Sequence, residues 1–145
     1  MSAGGAPAAS APHGVHHLAI LVRDLAAAEA FYGGLLGLPV LRRWPADPAV
    51  ARGPERSIWL DAGGGAFLAL ERAPDGAPAG DPDSVGLHLV ALRIGAGERG
   101  AWERRFAAAG VTVYRRTDYT LYVRDPEGNR VGLSHWPQPH GEANG

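Results

Sequence analysis

The chain has no cysteine among its 145 residues. That excludes disulfides, thiolate catalysis and sulfur-ligated metals, and leaves the redox compartment open. It also lacks a charge excess: 14 Lys and Arg stand against 15 Asp and Glu, a formal net charge of −1. No basic face is implied, so nucleic acid and anionic membrane surfaces are not expected partners. No stretch approaches the roughly 18 apolar residues that span a bilayer. The first fourteen residues, MSAGGAPAASAPHG, have neither the basic start nor the apolar run of a signal peptide. The expectation is a cytoplasmic protein with a disordered tail over residues 1–14 and a flexible one over 137–145.

What is present is ordered around Val15 to Gly37, VHHLAILVRDLAAAEAFYGGLLG. Val15 to Val22 is a β-rich apolar run opening on His16 and His17. Asp24 offers an N-cap carboxylate to a helix starting near Leu25. Leu25, Ala28, Tyr32 and Leu35 make one apolar stripe able to lie on a sheet. Gly37 and Pro39 end that helix. Pro39 to Trp44 reads as a short strand, and Arg42 to Ser57, with three prolines, as a loop. Arg56 to Asp61 and Ala66 to Arg72 read as two strands around a glycine turn. Residues 73–86 are a Pro/Gly/Asp linker.

From Leu87 the order restarts. Leu87 to Ile94 is a strand, Glu98 to Ala109 a helix closed by Gly110, and Val111 to Arg115, Tyr119 to Arg124 and Arg130 to His135 three further strands. Asp125-Pro-Glu-Gly-Asn129 is a tight turn. Two copies of strand–helix–strand–strand–strand argue for an internal duplication. The fold expected is α+β: two tandem βαβββ modules, about 15–72 and 87–136, within one domain over 15–136. Their paired, cupped mixed sheets would enclose a central cleft.

The segments His17-Leu-Ala-Ile-Leu-Val-Arg-Asp24, Ala30-Phe-Tyr32 and Leu36-Gly-Leu38, with Leu121-Tyr-Val-Arg-Asp-Pro-Glu-Gly-Asn129 and Val131 to Ser134 far downstream, resemble the vicinal oxygen chelate superfamily. That superfamily comprises glyoxalase I, the bleomycin and fosfomycin resistance proteins and the extradiol dioxygenases. The resemblance implies paired βαβββ modules, a homodimer, and in many members one divalent metal in the cleft. It places the metal ligands at four positions, which fall here on His17, Ala69, Leu89 and Gly132. Only the first can bind a metal. Two departures from that register would bring in His88, through a β-bulge, and Glu71, one step along its strand.

Two readings follow. In the first, the metal site is degraded and the small Ala69 and Gly132 widen a pocket for a small, aromatic organic molecule. Its walls would be Tyr122, Trp59 and Leu89, with Arg56 as a cation for an anionic group; Tyr119, Trp102 and Trp136 are further aromatic candidates. In the second, the protein is an enzyme of the glyoxalase or dioxygenase type. It would use a divalent metal on His17, Glu71 and His88, or His17 alone as a general base.

Overall fold

The computed structural model of the chain describes residues 4–6, 8–49 and 53–139. The first module runs β1 (His17–Val22), α1 (Leu25–Glu29), β2 (Val40–Pro45), β3 (Glu55–Gly63) and β4 (Ala66–Arg72). The second runs β5 (Val90–Arg93), α2 (Arg99–Ala108), β6 (Arg115–Arg116), β7 (Thr120–Arg124) and β8 (Arg130–Ser134). The sheets are ordered β1-β4-β3-β2 and β5-β8-β7-β6, so each is a mixed sheet with the same topology. In both, the first strand pairs in parallel with the last, which requires the crossover that each helix supplies. The fold is the α+β arrangement of two paired βαβββ modules.

Asp24 caps α1 as its sequence position suggested, Oδ1 accepting from Ala27 N at 3.0 Å. The helix then departs from expectation. From Ala30 to Leu35 it widens into a π-helix, with Leu36 N donating to Phe31 O at 2.9 Å. One extra residue in the turn rotates the apolar stripe, so Leu36 is buried and Leu35 only half-buried. Gly37, at φ +78°, ends the helix. The strands differ too. β2 runs on through Pro45 and β3 starts at Glu55, so the loop between them is shorter than its three prolines implied. β5 and β6 are shorter than expected, and α2 is preceded by one 3-10 turn over Ala96–Glu98.

Alternation in the strands assigns each sheet two unlike faces. Leu18, Ile20, Val22, Ile58, Leu60, Leu68 and Leu70 pack with Leu25, Ala28, Phe31, Tyr32 and Leu36 of the first helical segment. Val123, Val131 and Leu133 join Phe106 of α2 in the same core. Trp102 belongs to this helix side, half-buried against Phe106. Among the described residues the other face of each sheet carries no helix; this is its open face.

Two carboxylates in the β7–β8 turn tie the modules together. Tyr32 is fully buried and its hydroxyl donates to Asp125 Oδ2 at 2.7 Å. Burial first, and then the Asp125 charge, push the phenol far above its ordinary pKa. Asp125 also accepts from the backbone N–H of Glu127 and Asn129 and from Asn129 Nδ2. Glu127 reaches the opposite way, accepting from Arg23 N, Arg23 Nε and Asp24 N. Burial pushes its carboxyl up, but the bonds from Arg23 and Asp24 outweigh it and hold the pKa below the ordinary value. Tyr32→Phe leaves the buried Asp125 one donor short. It should cost about 2 kcal/mol of unfolding free energy, the scale of a hydrogen bond to a charged group, as read by urea denaturation.

Candidate functional site

The pairing registers set matching rows of side chains on the two open faces. In the first sheet one row is Ala19, Ala69, Trp59 and Arg42. In the second it is Ala91, Gly132, Tyr122 and Arg115. The rows correspond strand by strand, so Trp59 answers to Tyr122, Ala69 to Gly132 and Arg42 to Arg115. Two residues before Ala19 stands His17; two before Ala91 stands Leu89. Leu89, not His88, is therefore the counterpart of His17. His88 falls on the opposite alternation, where its Nδ1 lies 3.3 Å from Arg130 Nη1.

Among the described residues, neighbours crowd the positions of Ala69 and Gly132 where a widened pocket was expected. A Cβ on Gly132 would sit 3.1 Å from Thr120 Cγ2 and 3.6 Å from both Ala91 Cβ and Leu89 Cδ1. The space is already filled by neighbours. Ala69 is only 2% exposed, flanked on its row by Ala19 and Trp59. One cleft, about 350 Å³, runs along the seam between β1 and the approach to β5. Residues of both faces of β1, Leu18 and Ile20 as well as Ala19 and Leu21, line it together with His88, Leu89 and Arg130.

His17, Glu71 and His88 do not assemble into a metal site within one chain. His17 pairs with Phe67 and Glu71 with Leu21, which puts the two side chains four residues apart along neighbouring strands. At about 3.3 Å per residue that separation far exceeds any shared coordination sphere. Among the described residues no group of three His, Cys, Asp or Glu side chains is placed to hold a metal ion. The donor set at the four family positions, one imidazole with Ala, Leu and Gly, does not fit a divalent metal either.

What the open face of the first sheet does hold is a run of rings. The His17 imidazole stacks on Phe67 at 4.7 Å between centroids and 6° between planes. Phe67 stacks on Trp59 at 4.5 Å and 25°. Trp59 meets Trp44 edge-on at 5.2 Å, and the Arg42 guanidinium lies 3.8 Å over the Trp44 ring. The stack therefore crosses all four strands, from β1 through β4 and β3 to β2. Sequence reading placed Trp59 here but missed Phe67 and Trp44. The signal was available: Phe67 shares the alternation of Ala69, and Trp44 lies two residues from Arg42, but the bulge near Leu41 hides β2's phase.

The other named residues sort by face. Tyr122 is half-buried on the open face of the second sheet, with Arg115 5.4 Å from its ring and Tyr114 6.2 Å away. Arg56 is exposed in β3, three residues from Trp59, its guanidinium 5.9 Å from the Trp44 ring. Tyr119 packs edge-on against Trp136 at 4.7 Å, beyond the end of β8. His16 Nδ1 lies 2.9 Å from His17 Nδ1, so one of the two must carry the proton.

The fold has solved counterparts. A glyoxalase/dioxygenase structure from Nostoc punctiforme is 24% identical, covers 92% of this chain and 100% of its own, and superposes with a TM-score of 0.72. A lactoylglutathione lyase from Agrobacterium tumefaciens is 25% identical, covering 89% of this chain and 100% of its own, at a TM-score of 0.63. The fosfomycin resistance protein FosX from Mesorhizobium loti shares 15% identity and a TM-score of 0.64, over 85% of this chain and 91% of its own. No curated protein matches the sequence. Residues 14–133 match the family model, and the chain belongs to the Glyoxalase/Bleomycin resistance protein/Dioxygenase superfamily.

Proposed function

We propose that this chain binds a planar organic molecule on the open face of its first sheet, with no metal of its own. The observation that carries this reading is the stack His17–Phe67–Trp59–Trp44. Aromatic rings bury large areas and pair with about 0.5–1.5 kcal/mol beyond that area. Phe67, Trp59 and Trp44 are half-buried, their faces turned largely to neighbouring rings, and their outer edges supply an apolar surface for edge-to-face contact with another flat system. A separate cleft of about 350 Å³ along β1 and the approach to β5 has the volume of a small-molecule pocket, though none of these rings lines it. Fold alone does not choose the ligand: the relatives named above include a lyase and a drug-resistance protein on the same scaffold.

A homodimer accompanies this reading. Leu21 on β1 is 65% exposed and Leu87 before β5 81%. Both line the cleft along β1 and the approach to β5, and a second copy seated there would cover them.

Three outcomes follow. Trp59→Ala should weaken binding of the neutral planar probe 2-naphthamide at least about fivefold, from the loss of ~1 kcal/mol of aromatic contact. Tyr119→Ala, remote from the stack, should leave it unchanged; quenching of tryptophan fluorescence reads both. Protein purified without a His tag should contain no stoichiometric divalent metal. Near-stoichiometric metal that disappears in His17→Ala would instead restore the metal-enzyme reading. Sedimentation should give twice the 15.2 kDa chain mass, and Leu21→Glu should shift the protein toward the monomer.

A further inference from the structure

The stack has a polar end. The row beside Ala19, Ala69, Trp59 and Arg42 is Leu21, Glu71, Ser57 and Trp44. Ser57 is 2% exposed, and neither its Oγ nor Trp44 Nε1, both buried, has a hydrogen-bond partner among the described residues. A buried polar group left unmet costs about 1–3 kcal/mol, and native proteins leave few of them. The second module shows the ordinary solution. Thr120 answers there to Ser57 and Ser134 to Glu71, and Thr120 Oγ1 donates to Ser134 Oγ at 2.9 Å. The first module has dropped that bond and placed a second donor alongside.

The surroundings supply positive charge. The guanidiniums of Arg42 and Arg56 lie 3.8 and 5.9 Å from the Trp44 ring. Neither has a carboxylate partner among the described residues, whereas adjacent Arg43 is held by both Glu29 and Glu55. Trp44 Nε1 can only donate, a serine hydroxyl can donate, and guanidiniums donate in pairs. Trp44, Ser57 and Arg42 share this face and each can offer a hydrogen. Glu71 is the one carboxylate on the row.

We infer that the Trp44–Ser57 end of the stack receives the oxyanion, such as a carboxylate, of a planar acid whose flat body lies across the outer edges of Trp59 and Phe67. This rests on the ligand reading above and narrows it to anionic ligands. Arg42 is exposed and rests only on a ring, a contact of about 0.5–1 kcal/mol at such sites. It is free to swing from the Trp44 face onto the incoming charge.

The test compares 2-naphthoate with its neutral isostere 2-naphthamide by isothermal titration at pH 7. The naphthoate should bind about tenfold tighter, the scale of one charge-assisted hydrogen bond. Ser57→Ala and Arg42→Gln should each remove most of that preference, weakening naphthoate far more than naphthamide. Glu71→Gln should tighten naphthoate alone, an effect that a purely structural role for Ser57 does not produce. Equal binding of the two probes to the wild type, or a full preference surviving in either Ser57→Ala or Arg42→Gln, overturns the oxyanion inference while the stack reading stands. Failure of both probes to bind overturns the two together.

Discussion

The arrangement of the molecule depends on the buried carboxylate of Asp125. It sits in the β7–β8 turn with no ion-pair partner among the described residues, and hydrogen bonds meet its oxygens. Three come from its own turn and the fourth from Tyr32 of the other module. A carboxylate can be buried only if its lone pairs are met. Removing the tyrosine therefore affects the turn as well as the helix. Glu127, two residues on, ties the same turn to the backbone at Arg23 and Asp24, where α1 begins. The two sequence segments that resemble the superfamily, about a hundred residues apart, are thus the two halves of one contact. Their joint presence is a physical requirement of pairing the modules.

Once the modules are paired, the duplication leaves two equivalent open faces that have diverged. Matching rows carry Trp59 against Tyr122 and Ala69 against Gly132, but Phe67 corresponds to Arg130 and Ser57 to Thr120. The first face is aromatic, with unmet donors at one end. The second is polar and internally satisfied: Thr120 bonds Ser134, and Arg130 is bound to the linker through Pro82 and Asp83. Hydrogen bonds spent within the fold are not available to a ligand. The asymmetry therefore favours the first face as the one that meets another molecule.

Much of this was legible in the sequence, and the failures share a cause. Element order, the Asp24 cap, the Gly37 stop and the module repeat follow from local chemistry, and the structure has them. What local chemistry does not carry is phase. The π-helix slips one residue and buries Leu36 in place of Leu35. The bulge in β2 conceals that Trp44 and Arg42 share a face with Trp59. Residue type alone suggested that Ala69 and Gly132 left room, but volume is a property of neighbours, and Thr120, Leu89 and Trp59 had taken it. The ring run was invisible for the same reason, since its members lie on four strands.

Building a metal centre at the positions the family resemblance names would take more than supplying ligands. A carboxylate side chain at position 132 would drive its Cβ to 3.1 Å from Thr120 Cγ2, so Thr120, already bonded to Ser134, would have to give way. A ligand at position 69 would have to be accommodated beside Trp59 and the stacked Phe67. His17, the one family ligand present, lies flat on Phe67 and presents its ring face to the stack. An imidazole coordinates through an in-plane nitrogen lone pair, and one of the two in His17 is occupied by the contact with His16. The residues that crowd those positions are the same ones that form or support the ring surface. That coupling makes a planar ligand the more economical reading of this face than a chelate with a single donor.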